Sequence, residues 1–204
     1  MSINPADLGG PYATVFDVGA FRGDFALACL KEWPECAVES FEPLEPLPTG
    51  LGDPRWAWHA CALGARAEVV TINRNVFVPS SSILPMAGLH ETAFPYTKGS
   101  EPERVGMARL DEFAELIRPP ALLKIDVQGY ELEVLKGAGE YVGAFQAIVL
   151  EVSWESLYHG APTPAALSKL LQANGFEHAA QVDTLYHPKA PKLLLQSDEL
   201  WVRA

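Results

Sequence analysis

The chain has 204 residues, enough for one domain with a substantial core. Its net charge of −11, from 26 acids against 15 lysines and arginines, argues against a nucleic-acid groove or an anionic membrane surface as the main partner. A hydrophobic content of 49% with 20% charged residues is ordinary for a soluble globular chain, and no apolar run approaches the roughly 18 residues of a membrane span.

In chain order, residues 1–13 read as a lead-in containing Pro and Gly, with no basic segment and no apolar stretch of the signal-peptide kind. Thr14 to Leu30 (TVFDVGAFRGDFALACL) reads as a strand, a tight glycine turn from Gly19 to Gly23, and a helix that ends near Trp33-Pro34. Ala37 to Phe41 is a second short strand, closed by Glu42-Pro43. The stretch from Leu44 to Arg55 is dense in Pro and Gly and predicts a loop with at most one helical turn. Ala57 to Leu63 and Ala67 to Ile72 predict two further strands.

Residues 73–105 show no sustained period and carry Pro79, Pro85, Pro95 and Pro102, which predicts a long loop or lid on the acceptor side of a site. Helical spacing returns over Leu110 to Ile117, and Leu122 to Val127 is a strand that again ends in an acid. A helix over Tyr130 to Gly137 and a strand over Ala147 to Val152 follow. Pro164 to Asn174 is a helix with Thr163 as its cap. His178 to Tyr186 and Glu199 to Arg203 are expected to form a terminal antiparallel pair. Strands alternating with helices predict an α/β fold with a mostly parallel sheet, in one domain over 1–204.

The three cysteines, Cys29, Cys36 and Cys61, show no C-x-x-C spacing and read as free thiols. With the N-terminal composition, they make a cytoplasmic enzyme or binding protein the expectation.

Parallel sheets bind ligands outside the carboxyl ends of their strands, and Asp17, Glu42, Asp126 and Glu151 each lie at or beside such an end. The first turn, Gly-Ala-Phe-Arg-Gly, lacks the spacing of a dinucleotide turn and the G-K-[ST] of a phosphate loop. Asp17 would repel a pyrophosphate but accept from an ammonium, and Glu42 is placed to accept both hydroxyls of a ribose. Acids at the first two strands with no phosphate loop point to S-adenosylmethionine. The plainer reading of the turn is a tight bend beside an incidental acid.

In order, VFDVGAFRGDFAL, FEP, SSS, RLDEF, LLKIDVQGYELEVLKGA and VLEV resemble the FkbM-type methyltransferases over roughly residues 14 to 155. The resemblance implies a Rossmann-like class I methyltransferase fold and O-methylation of a hydroxyl on a small metabolite, sugar or glycan. It implies that Asp17, Gly19, Ala20, Phe21 and Gly23 frame the methionine end of the cofactor. Glu42 and Pro43 would meet the ribose and Ala62 and Leu63 the adenine. Ser81 belongs to the family's serine run, and Asp126 would face the transferred methyl. Gln128 and Tyr130 depart from the family, which usually has an acid and often a histidine at these positions.

An alcohol acceptor must lose its proton, so a base or a metal is wanted. Asp126 is the first candidate, with Glu131 and His59 beside it. Each has a plainer reading: a turn carboxylate bound by backbone donors, an acid favoured by a helix dipole, and a hydrogen-bonded structural histidine. Glu151 could join Asp126 on a divalent metal, although Gln128 removes a third carboxylate and no metal is favoured. His90, Tyr96 and Lys98 read as solvated loop residues, and Trp154 and Tyr158 as pocket wall or core. Two other readings stand beside catalysis: a non-catalytic S-adenosylmethionine-binding domain, and a dinucleotide oxidoreductase, which the missing phosphate turn disfavours.

Overall fold

Strands and helices alternate into a seven-stranded and a three-stranded sheet in the computed structural model, which describes residues 3–46 and 52–204. The elements are β1 (Thr14–Val18), α1 (Asp24–Glu32), β2 (Ala37–Phe41), β3 (Trp56–His59), β4 (Ala62–Leu63), β5 (Glu68–Asn75) and α2 (Gly88–Ala93). There follow β6 (Ser100–Ala108), β7 (Ala121–Ile125), α3 (Glu131–Ala138), β8 (Ala147–Ser153), α4 (Pro164–Ala173), β9 (Phe176–His187) and β10 (Ala190–Arg203).

The large sheet runs β3-β2-β1-β7-β8-β10-β9, with β10 antiparallel to both of its neighbours and the other pairings parallel. This is the Rossmann-like arrangement with an antiparallel C-terminal pair. Every residue of β1 and β7 is buried, because helices cover both faces, so the strands read as mainly apolar runs, interrupted by Thr14, Asp17 and Lys124, rather than as alternating ones. Phe16, Val18, Leu123 and Ile125 face α3 and α4, where Val134, Leu135, Leu167 and Leu171 complete one core. Val15, Leu122 and Val149 face Ala26, Cys29 and Leu30 of α1 in a second core.

The residues between those apolar positions set up the site. Parallel pairing puts Asp17 opposite Lys124, on the same face of the sheet. Lys124 Nζ lies 3.1 Å from Asp17 Oδ1 and donates to the Gly19 carbonyl at 2.9 Å. Burial works against the lysine's charge, but the Asp17 and Asp126 carboxylates outweigh it and raise its pKa above the ordinary value.

Several expectations are corrected. The single strand over Ala57 to Leu63 is two: β3 at the edge of the large sheet, and β4 in the small sheet beside β6. The expected loop over 73–105 contains the end of β5, α2 and the first two thirds of β6; β5 and β6 pair antiparallel from Glu68↔Met107 to Asn75↔Ser100. The helix expected over Leu110 to Ile117 is a 3-10 helix over Leu110–Leu116. The terminal pair is present and longer than expected. Thr163 caps α4 by accepting from Ala166 N. In the Pro- and Gly-rich segment, residues 47–51 lie outside the described residues, as do residues 1–2 of the lead-in. All three cysteines are free.

Candidate functional site

Two connected clefts open at the carboxyl ends of β1, β2, β7 and β8. The first holds Glu42 among the apolar side chains of Val18, Phe41, Leu63, Ile72 and Ile83. The second holds Glu151, Gln196, Lys124 and His90. Gly19, Phe21, Pro79, Asp126 and Gln128 line both, so the clefts meet at the turn after β1 and the turn after β7.

The β1 turn is shaped by packing. At Gly19, φ is +77° and a Cβ would stand 1.8 Å from the Asp126 carbonyl, so only glycine lets the two turns meet. At Gly23 a Cβ would strike the Trp56 ring at 2.4 Å. Glu42 fixes the turn from the other side: Oε2 accepts from Phe21 N at 2.9 Å and Oε1 from Leu44 N at 2.7 Å and Glu45 N at 3.3 Å. Burial raises its pKa, and these backbone donors work against the rise. The carboxylate keeps lone pairs for a ligand hydroxyl. Among the described residues, no lysine or arginine lines the Glu42 cleft, so a phosphate finds no side-chain counter-charge there.

The turn after β7 carries the densest polar network. Gln128, with φ +56°, donates through Nε2 to Asp126 Oδ1 at 2.9 Å and to Glu151 Oε1 and Oε2 at 3.1 and 3.3 Å. Its Oε1 accepts from the Tyr158 hydroxyl at 2.9 Å. Gln196 Nε2 also donates to Glu151. Burial, then the charges of Asp126 and Glu131, raise the Glu151 pKa well above the ordinary carboxyl range, which favours its neutral acid. Asp126 remains the more open acid, its side chain 38% exposed, with Lys124 Nζ 3.9 Å away.

The structure brings Gly19, Phe21, Glu42, Pro43, Ala62, Leu63, Ser81 and Asp126 together around the Glu42 cleft, with Ala20 in the second cleft. It places four other sequence-level candidates away from both. Asp17 has no exposed surface and faces Lys124, because the β1–β7 register turns it toward α1. Gly23 packs on Trp56 as the residue before α1. Glu131 is buried and its Oε1 accepts from Val127 N and Gly129 N, clamping the turn from beneath. His59, on edge strand β3, stacks on Phe41 and bonds Glu39 at 2.8 Å.

Other groups come from places that local reading misses. His90 is 3% exposed rather than solvated, wedged against Phe94 and Tyr158, and burial pushes its pKa down to about 4. Gln196 reaches the site from β10. Tyr158 is core and site at once, whereas Trp154 lies in a groove beside α4 and Trp201. Among the described residues, no group of three or more His, Cys, Asp or Glu is arranged to hold a metal ion.

Comparison with known proteins adds three findings. The family model of the methyltransferase FkbM domain matches residues 17–178. No curated protein matches the chain. Similar solved structures include magnesium protoporphyrin IX methyltransferase from Synechocystis PCC 6803 with bound SAM, at 12% identity and TM-score 0.48, over 98% of this chain and 73% of that one. A second is the plantazolicin methyltransferase in complex with SAH, at 9% identity and TM-score 0.47, over 96% and 77%. A third is human N-acetylserotonin methyltransferase in complex with SAM, at 11% and 0.40, where the match covers 95% of this chain but 48% of that one.

Proposed function

The chain belongs to the FkbM methyltransferase family, and on that premise we propose that it moves a methyl group from S-adenosylmethionine to a hydroxyl of a small metabolite, sugar or glycan. The observation that carries this reading is the meeting of the two clefts at Asp126, with a ribose-type acceptor, Glu42, in one and a polar floor in the other. The residues fit the cofactor. Glu42 keeps lone pairs for ribose hydroxyls, the walls around it are apolar, and no cationic side chain among the described residues asks for a phosphate.

When bound, S-adenosylmethionine would supply an electrophilic methyl, the acceptor oxygen gaining the C–O bond and the sulfur keeping the electron pair of the S–C bond. The chain's own work is positioning and proton transfer. Asp126 stands where the clefts join and takes the acceptor's hydroxyl proton. Gln128 keeps the Asp126 carboxylate oriented, and Lys124 holds the Gly19 carbonyl and so the wall of the cofactor cleft. We place the protein in the cytoplasm: Cys29, Cys36 and Cys61 are free, and unpaired thiols suit a reducing compartment.

Calorimetry with S-adenosylhomocysteine, together with turnover of Asp126→Asn, tests the reading. Binding by both proteins is expected, with the variant's kcat down by about 10²-fold or more. Cofactor binding with unchanged turnover in the variant would return Asp126 to a structural role. Binding with no turnover on any hydroxylated acceptor would favour a non-catalytic domain.

A further inference from the structure

Gln128 is held from two sides. On one side its Nε2 donates to Asp126 and Glu151. On the other, two hydroxyls reach it from distant parts of the chain. Tyr158, just beyond β8, shares its proton between Gln128 Oε1 at 2.9 Å and the Ser80 carbonyl at 3.0 Å. Ser82 Oγ donates to the Gln128 carbonyl at 2.7 Å and accepts from Leu84 N at 3.0 Å. Tyr158 and Ser82 are themselves buried, so they act on the site through Gln128 and not on a ligand. The segment they bond is fixed in turn. Asn73 of β5 donates through Nδ2 to the carbonyls of Ser82, Ile83 and Leu84, and Ser81 Oγ accepts from Asn75 N at 2.9 Å. Gly129 leaves no slack, since a Cβ there would stand 3.3 Å from both Tyr158 and Leu84.

We propose that Tyr158 and Ser82 are positioning residues for methyl transfer: they fix the amide and the backbone of Gln128, and through the amide the Asp126 carboxylate. This rests on the reading of Asp126 as the group that takes the acceptor's proton. The Tyr158 hydroxyl keeps the amide oxygen turned away from the two acids, so that Nε2 faces them. Burial raises the Tyr158 pKa, and the phenol stays a donor. The Ser82 hydroxyl holds the strained backbone two residues beyond Asp126.

The competing account gives the two hydroxyls a role in stability alone. Both, however, converge on the one residue that orients Asp126, and they come from 30 and 46 residues away in the chain. Removing either leaves a buried acceptor on Gln128 without its donor and loosens the residue that aims the carboxylate. Transfer between positioned groups tolerates little displacement, so the loss belongs to the rate of the chemical step.

The test compares Tyr158→Phe, Ser82→Ala and the double variant with Thr163→Ala, which removes the α4 cap and so costs stability away from the site. In isotope-labelled full-length protein, NMR follows hydrogen exchange of the Gln128 side-chain NH2, whose signals are assigned by their loss in Gln128→Ala. Exchange is expected to be slow in the wild type and about tenfold faster in each hydroxyl variant. With S-adenosylmethionine and a panel of hydroxylated acceptors, kcat should fall by about tenfold in each, while acceptor KM and the Kd for S-adenosylhomocysteine stay within about twofold. Thr163→Ala should lower the thermal midpoint and keep kcat. An unchanged Gln128 signal or an unchanged kcat in the double variant overturns the proposal, as does an equal fall of kcat in Thr163→Ala. Unchanged turnover in Asp126→Asn brings down the reading of Asp126 as base instead, and absence of S-adenosylhomocysteine binding the methyl-transfer reading. The Gln128 exchange rates still decide then whether the two hydroxyls hold that residue.

Discussion

Gln128 commits both its backbone and its side chain to the site. A non-glycine residue at φ +56° carries strain on the order of 1 kcal/mol, and it persists because neighbours over-determine it. Here the neighbours are Asp126, Glu151 and Tyr158, each bonded to the Gln128 amide. The amide keeps two carboxylates apart by donating to both. Gln128→Glu would remove that donor and bring three acids together, and hard cations take carboxylate oxygens. Millimolar magnesium or calcium is therefore expected to raise the thermal midpoint of Q128E by several degrees and to leave the wild type's midpoint where it is. Equal midpoints with and without the cation in Q128E would mean that the three side chains do not converge.

At the scale of elements, the β1–β7 ladder decides what Asp17 does. Its sequence position made it a cofactor ligand; its cross-strand partner makes it half of a buried ion pair. Removing one partner of such a pair leaves an uncompensated buried charge and costs about 3–5 kcal/mol, whereas replacing both can be nearly neutral. Chemical denaturation should thus show a large loss of stability in Lys124→Met and recovery of most of it in Asp17→Asn/Lys124→Met. A double variant no more stable than the single one would sink the pairing. The same ladder shows what could be read locally. β1, β7 and β8 are mostly apolar and buried on both faces, so their place, and with it the place of Asp126, follows from burial. β6 could not be read that way: SEPERVGMA is exposed over most of its first half and carries Pro102 inside the ladder, so neither period nor propensity marks it. The break between β3 and β4 is hidden because both pieces are rich in apolar residues. Lys124 and Gln196 join the site through long-range strand pairing and His90 through the packing of α2 against Tyr158, which no local pattern contains.

Over the whole molecule, the acidic balance continues inside. The net charge is −11, and burial raises Glu131 and Asp198 to about 7, the charge of Asp126 adding to the burial in each. Both have ordinary values of 4.5 and 3.8. Between those values and pH 7 the native chain holds protons that the unfolded chain has released. Stability is therefore full at the acid side of this window and falls as pH rises, by on the order of 1.4 kcal/mol per pH unit for each group. His90 works the other way: its native value of about 4 lies below the ordinary 6.5, so the unfolded chain binds its proton first and stability is lost as pH falls through that interval. Glu151, whose pKa burial also raises, works in the same direction as the two acids, so together they outweigh the one imidazole and the slope is downward. Surface repulsion among ionised acids adds to it at low salt. The thermal midpoint, measured at fixed ionic strength, should drop between pH 5 and pH 7.5, the reverse of acid denaturation driven by paired surface carboxylates. Glu131→Gln should flatten the curve, because the amide has no proton to lose. A wild-type midpoint that climbs over the same interval would mean that these interior carboxylates are ionised in the native state, compensated by contacts other than the backbone donors at Glu131 and the ammonium of Lys124.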